Sequence, residues 1–254
     1  MSSIRLSGST SGYYDLTVPA AAGTNSIDLS NLATTNTANT FNNVIAVQNG
    51  GFDARLRLQN TGAGGTTFDI YSTMNSFAQG SETLLVNYGG SPNNVPNGLL
   101  KIKSDGHINK PYQPAFFSYG SAGWVTFSNG SDTRIVFTNS SFDIGGNMNN
   151  STGIFTCPVA GIYHFSYGTY GRLQAGNGNN TNYWGSHLRK NSARITNTSI
   201  VGYYEDGDND NHTSMSMYVS CAANDTIDVV ARSAGPNNGE YYGSHCWLSG
   251  ALVS

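Results

Sequence analysis

The sequence predicts an all-β protein, and three observations carry that expectation. Of 254 residues, 31 are Gly and thirty each are Asn and Ser, residues that favour turns and weaken helices. The 15 Tyr and 11 Phe, with abundant Val, Thr and Ile, suit pleated, half-buried surfaces. Apolar residues alternate with polar ones in short runs, each closed by Gly, Pro, Asn or Ser.

Taken in order, the chain reads as three parts. Residues 1–32 hold three short strands around Ile4-Arg5-Leu6, Tyr13 to Val18 and Ile27-Asp28-Leu29. So few strands bury too little apolar surface to stand alone, and this segment is expected to fold against something else, the alternative being a flexible arm ordered only by neighbouring copies. Residues 33–110 open on an Ala/Thr/Asn tract with a linker's composition. Five strands are expected after it, Val44 to Gln48, Ala54 to Gln59, Thr67 to Ser72, Thr83 to Tyr88 and Leu99 to Lys103, with turns such as Ser104-Asp105-Gly106. They form a small antiparallel β domain. Its end is marked by Lys110-Pro111-Tyr112-Gln113-Pro114, whose prolines favour an extended connection.

The third part, 111–254, is a succession of short strands with no helical period. The clearest are Trp124 to Phe127, Thr133 to Phe137, Gly153 to Cys157, Gly161 to Tyr167, Ser186 to Arg189, Ile195 to Ser199, Ser214 to Cys221, Thr226 to Ala231 and Ser244 to Val253. Nine or ten strands with Gly/Asn turns make a sandwich or barrel.

Composition also excludes. Only 11% of the chain is charged, with net charge -3, against about 25% charged in an average soluble protein. Twelve Lys and Arg spread singly cannot neutralise many phosphates, so nucleic-acid binding is not expected. The N-terminus has one positive charge and no apolar core, and no run approaches 18 apolar residues, so synthesis in the cytosol without membrane insertion is expected. Cys157, Cys221 and Cys246 show no metal or redox spacing and read as buried small hydrophobes. The five histidines are isolated, with His164 expected on the side of its strand away from the core.

No nucleophile elbow, phosphate loop, zinc-protease motif or dinucleotide fingerprint is present, so no catalytic residues are assigned and an enzyme is not expected. Two features remain. Asp206, Asp208 and Asp210 imitate the opening of a calcium loop, because oxygen ligands at alternate residues can converge on one cation. The imitation stops there: position twelve is Met217 rather than Glu and position six is Asn211 rather than Gly. The run reads either as a solvated loop or as a calcium site. Aromatic pairs beside Asn, Asp and Gly are the richer feature: Tyr183-Trp184, Tyr203-Tyr204 and Tyr241-Tyr242. Flat rings stack on the apolar face of a sugar while amides and carboxylates bond its hydroxyls, and the same residues make adaptable protein-binding surfaces. The alternative is that half of them lie in the core, Tyr241-Tyr242 first.

The stretch Gly153-Ile154-Phe155-Thr156-Cys157-Pro158-Val159-Ala160-Gly161-Ile162-Tyr163-His164-Phe165, then Asn224-Asp225-Thr226-Ile227-Asp228-Val229, then Cys246 to Val253, resembles the globular head of complement component 1q and its tumour-necrosis-factor-like relatives. That resemblance implies a ten-stranded jelly roll assembled as a homotrimer. The opening, Ser11-Gly12-Tyr13 with Val18-Pro19-Ala20-Ala21-Ala22-Gly23, and the middle part resemble tail-fibre proteins from phages of cyanobacteria and other aquatic bacteria. That second resemblance implies a virion fibre made in the host cytoplasm. Residues 1–32 would join other tail or baseplate proteins, and the head would bind a host surface glycan or outer-membrane protein. A capsid fibre or decoration protein is the alternative, and a depolymerase the next. Independently of either resemblance, small β modules with exposed edges are most easily stabilised by packing three copies about one axis.

Overall fold

The structure, a computed structural model, describes residues 3–7, 13–17, 54–59, 63, 67–72, 83–88, 98–174, 183–203, 210–235 and 237–254. The expected strands at Ile27 to Leu29 and Val44 to Gln48 lie outside the described residues. The backbone divides into two compact units, Met1–Gln48 and Asn49–Ser254. In the first, β1 (Ser3–Ser7) pairs antiparallel with β2 (Tyr13–Thr17).

The second unit begins with a five-stranded antiparallel meander. It contains β3 (Ala54–Gln59), β4 (Thr67–Ser72), β5 (Thr83–Tyr88), β6 (Gly98–Lys103) and β7 (Ile108–Asn109), hydrogen-bonded in chain order. Asp105-Gly106 makes the β6–β7 turn. Gly106 takes a left-handed φ of 87°, which glycine adopts without strain, and its N–H donates to the Lys103 carbonyl at 2.9 Å.

The head is an antiparallel sandwich of two seven-stranded sheets. The first contains β8 (Ala115–Tyr119), β9 (Trp124–Phe127), β11 (Asn139–Ile144), β14 (Gly161–Leu173), β18 (Asn211–Cys221), β20 (Gly239–Tyr242) and β21 (Trp247–Leu252). Its order is β11-β8-β21-β14-β20-β9, with β18 also paired to β14. The second contains β10 (Thr133–Arg134), β12 (Met148–Asn149), β13 (Ile154–Thr156), β15 (Tyr183–Lys190), β16 (Ala193–Arg194), β17 (Ile200–Tyr203) and β19 (Thr226–Ala234). There β12-β13-β19-β15-β16 run in order, with β10 beside β19 and β17 beside β15. Placing the last strand, β21, between early strand β8 and β14 is the crossover pattern of a jelly roll.

Alternation explains which side chains meet. In β14, Tyr163, Phe165 and Tyr167 point inward and are fully buried. They meet Phe116, Phe155, Leu188, Ile227 and Leu248 in one core, with the Phe116 and Phe155 rings stacked at 4.5 Å. Both of these tyrosine hydroxyls are satisfied: Tyr163 donates to the Val159 carbonyl at 2.9 Å and Tyr167 to the Thr198 carbonyl at 2.9 Å. All three cysteines are free and buried.

Three expected strands differ. Ser244 to Val253 opens in a 3-10 turn over Gly243–His245, so its strand starts at Trp247. Ile195 to Ser199 is a turn rather than a strand, with Asn197 at a φ of 64° and the Thr198 N–H donating to the Ile195 carbonyl. Thr133 to Phe137 is a ladder strand only at Thr133 and Arg134, followed by one more bond to β19 from the Ile135 N–H to the Val229 carbonyl at 2.9 Å, with Ile135 and Phe137 fully buried. Strands β8 and β11 are present as well; β8 is a short run, and β11, Asn139–Ile144, is mostly polar, so neither stands out in the sequence.

Candidate functional site

The inward side of the first sheet fills the core, and its outward side is open. Along β14 the outward residues are Ile162, His164, Ser166, Tyr170 and Arg172, and along β18 they are His212, Ser214, Ser216, Tyr218 and Ser220. On β8 and β21, Phe117 and Trp247 stack at 5.9 Å. Gly168 makes the Trp247 position possible, because a Cβ there would stand 2.4 Å from Trp247 Nε1. His164, as expected, faces away from the core; its Nε2 is 2.6 Å from Ser216 Oγ and its ring lies 4.9 Å from Tyr218, which is 67% exposed. A serine against an imidazole begins a nucleophile–base pair. No carboxylate among the described contacts orients His164, so the arrangement is a surface hydrogen bond.

At one end of this face the rings converge. Tyr170 is the hub: its ring is 4.3 Å from His212, 5.0 Å from His245 and 5.6 Å from Trp124. Tyr242 closes the group, 5.2 Å from Trp124 and 5.0 Å from His245. The Tyr170 hydroxyl donates to Asp210 Oδ2, which raises its pKa because the phenolate would face a carboxylate. Beside the rings, Glu240 accepts from Arg172 Nε at 2.9 Å, Gln174 Nε2 at 2.8 Å and Thr126 Oγ1 at 3.0 Å. Burial alone would raise the Glu240 pKa, but these three donors outweigh it and hold the carboxyl below its ordinary range. The result is a patch of half-buried and exposed rings rimmed by one fixed carboxylate and one guanidinium.

The sequence candidates scatter across this picture. Tyr242 belongs to the patch and Asp210 touches it through Tyr170. Tyr241 is 4% exposed and packs in the core at 6.3 Å from Phe127. Trp184, expected in a recognition loop, is instead the largest fully buried side chain, because it is the second residue of β15 and points inward. Tyr183 is half-buried at the start of the same strand, paired in register with Tyr203 of β17. The Tyr203 side chain, Tyr204, Asp206 and Asp208 lie outside the described residues. Trp124, Tyr170, His212 and His245 were not singled out. Tyr170 and His212 were within reach, since alternation through the long runs of β14 and β18 puts both on the side opposite the core.

Residues 117–253 match the family described as C1q domain. No curated protein matches the chain. Among solved structures, the globular domain of zebrafish complement 1qA protein is 16% identical, over 56% of this chain and 98% of that one, at a TM-score of 0.42. Eiger TNF from S. frugiperda is 13% identical, over 56% and 94%, at a TM-score of 0.40. Murine APRIL is 12% identical, over 56% and 99%, at a TM-score of 0.39.

Proposed function

The chain belongs to the C1q domain family, and on that premise we propose that it is a homotrimeric, phage-type virion fibre whose head attaches the particle to a host-cell surface glycan or protein. The observation that carries the reading is the outward side of the first sheet. Across β8, β21, β14 and β18 it presents Phe117, Trp247, His164 and Tyr218 among serines, and the only charged side chain outward on these strands, Arg172, is held by Glu240. An aromatic, charge-poor surface of this kind fits contact with another copy.

The ring patch at the end of the same face supplies recognition. Trp124 and Tyr242 offer flat surfaces, while Asp210 and the Arg172–Glu240 pair offer hydrogen-bonding groups, the combination a saccharide needs. Residues 1–32 carry the virion attachment. A calcium ion held by Asp206, Asp208 and Asp210 would fix Asp210, the acceptor of the Tyr170 hydroxyl. No catalysis is part of this role.

Light scattering and adsorption test it together. The chain of 27.0 kDa is expected to run at three times that mass. The purified head is expected to compete with particles for host cells, and Trp124→Ala with Tyr242→Ala to remove that competition. A monomer would refute the trimer, and a head without effect on adsorption would refute attachment.

A further inference from the structure

The five-stranded sheet has its polarity reversed. On one side Asp69, Thr83 and Asn87 are fully buried beside Tyr71 and Leu85, and Asp69 accepts from Arg57 Nε at 2.9 Å. On the other side register couples Leu58 to Phe68 and Phe68 to Tyr88, then Leu84 to Ile102 and Ile102 to Ile108. This second side is apolar on all five strands but for Ser72 opposite Leu84, yet Leu58 is 56%, Leu84 44%, Tyr88 48% and Ile108 63% exposed. The strands' described charges, Arg57, Asp69, Lys101 and Lys103, alternate away from it. A sheet that closes its polar side and leaves its apolar side to water has an unfilled contact.

We propose that this side packs against the same sheet of another copy of the chain, making the middle module a second assembly surface below the head. The inference rests on the trimeric reading and deepens it. Area selects the occupant. The exposed side chains amount to roughly 500 Å², as large as the biggest patch on an ordinary monomer. That is less than the roughly 800 Å² per partner of a stable interface, so the sheet alone is a poor site for an independent protein. A copy already held by the head needs less. The connection is short and pinned: the Gln113 amide donates to the Leu252 carbonyl, and Leu99, Tyr112, Ile144 and Val253 line one groove of about 540 Å³. Assembled heads therefore hold the sheets at high effective concentration. The surface carries no charge to match, so an identical surface is complementary to it.

The test uses the full chain. Leu84→Cys treated with a short bismaleimide should link copies on a denaturing gel, while Lys103→Cys on the opposite side should not. The native thiols are buried and do not compete. Leu58→Glu with Leu84→Glu should require at least a tenfold higher protein concentration to assemble, with the near-ultraviolet signature of the head retained. A trimer in which Leu84→Cys stays unlinked, or whose charged variant assembles unchanged, overturns this inference and leaves the head-driven trimer standing. A wild-type monomer overturns both. With one engineered thiol per chain the linked product is a pair in any assembly, so the native mass decides the order: linked pairs from an assembly of two chains by light scattering support the surface and overturn the threefold.

Discussion

The Arg172 guanidinium lies over the Trp124 ring, its Cζ 4.0 Å from the centroid, while its Nε donates to Glu240 at 2.9 Å. The cation is thus fixed between a carboxylate and an aromatic face, and the indole is held flat at the edge of the ring patch. Removing it frees the ring. Arg172→Ala should lower stability by about 1 kcal/mol, the size of a half-exposed cation–π contact, and shift Trp124 emission to the red. Arg172→Lys should keep the charge and lose most of the orientation. Equal emission and equal denaturant midpoints in all three proteins would show the contact to be idle.

Acid should loosen the head through one turn. Asp225 accepts from Asn191 Nδ2 at 2.7 Å, from the Ala222 N–H at 2.8 Å and from Lys190, and these donors lower its pKa from 3.8 to about 2. The folded value lies below the unfolded one, so the stabilisation is complete above pH 3.8 and disappears as pH falls towards 2. Thermal midpoints measured from pH 5 to pH 2 should fall less steeply for Asp225→Asn than for the wild type. Parallel curves would remove Asp225 from the acid response.

A triangle of hydroxyls joins the two sheets inside the core. Thr169 donates to Ser186 at 3.0 Å, and Thr213 is 2.6 Å from Thr169 and 2.8 Å from Ser186, all three buried. Each hydroxyl can donate once and accept once around the ring. Thr169→Val breaks it and leaves a buried hydroxyl short of a partner, at about 1–3 kcal/mol. The triple replacement Thr169→Val, Ser186→Ala, Thr213→Val should cost less than the sum of three single replacements. Chemical denaturation of the wild type and the four variants measures this, and strict additivity would count against the ring.

How far the sequence reached follows from which signals are local. Alternation within Gly161–Leu173 and Asn211–Cys221 is contained in single runs, so the core tyrosines and outward His164 were legible. The Ser104-Asp105-Gly106 turn was legible for the same reason. The ring patch was not, because Trp124, Tyr170, His212 and His245 come from four separated segments that only the sheet order brings together. Trp184 misled for a related reason. Beside Asn182 and Tyr183 it has the composition of a recognition loop, and what makes it a core residue is the absence of a side chain on another strand.

That absent side chain is at Gly171. A Cβ there would stand 2.3 Å from Trp184 Cε2 and 2.5 Å from the Glu240 carbonyl oxygen. The indole is fully buried and the carbonyl belongs to β20, which pairs with β14 at this point, so neither can move aside without spreading a sheet or emptying the core. Gly171→Ala should therefore destabilise the head by about 1–3 kcal/mol despite alanine's smaller backbone entropy cost. Pairing it with Trp184→Phe should recover part of the loss, since the smaller ring vacates the space, and the recovery read from a double-mutant cycle isolates the contact. An unchanged melting midpoint in Gly171→Ala would mean that strand β14 tolerates a side chain against Trp184.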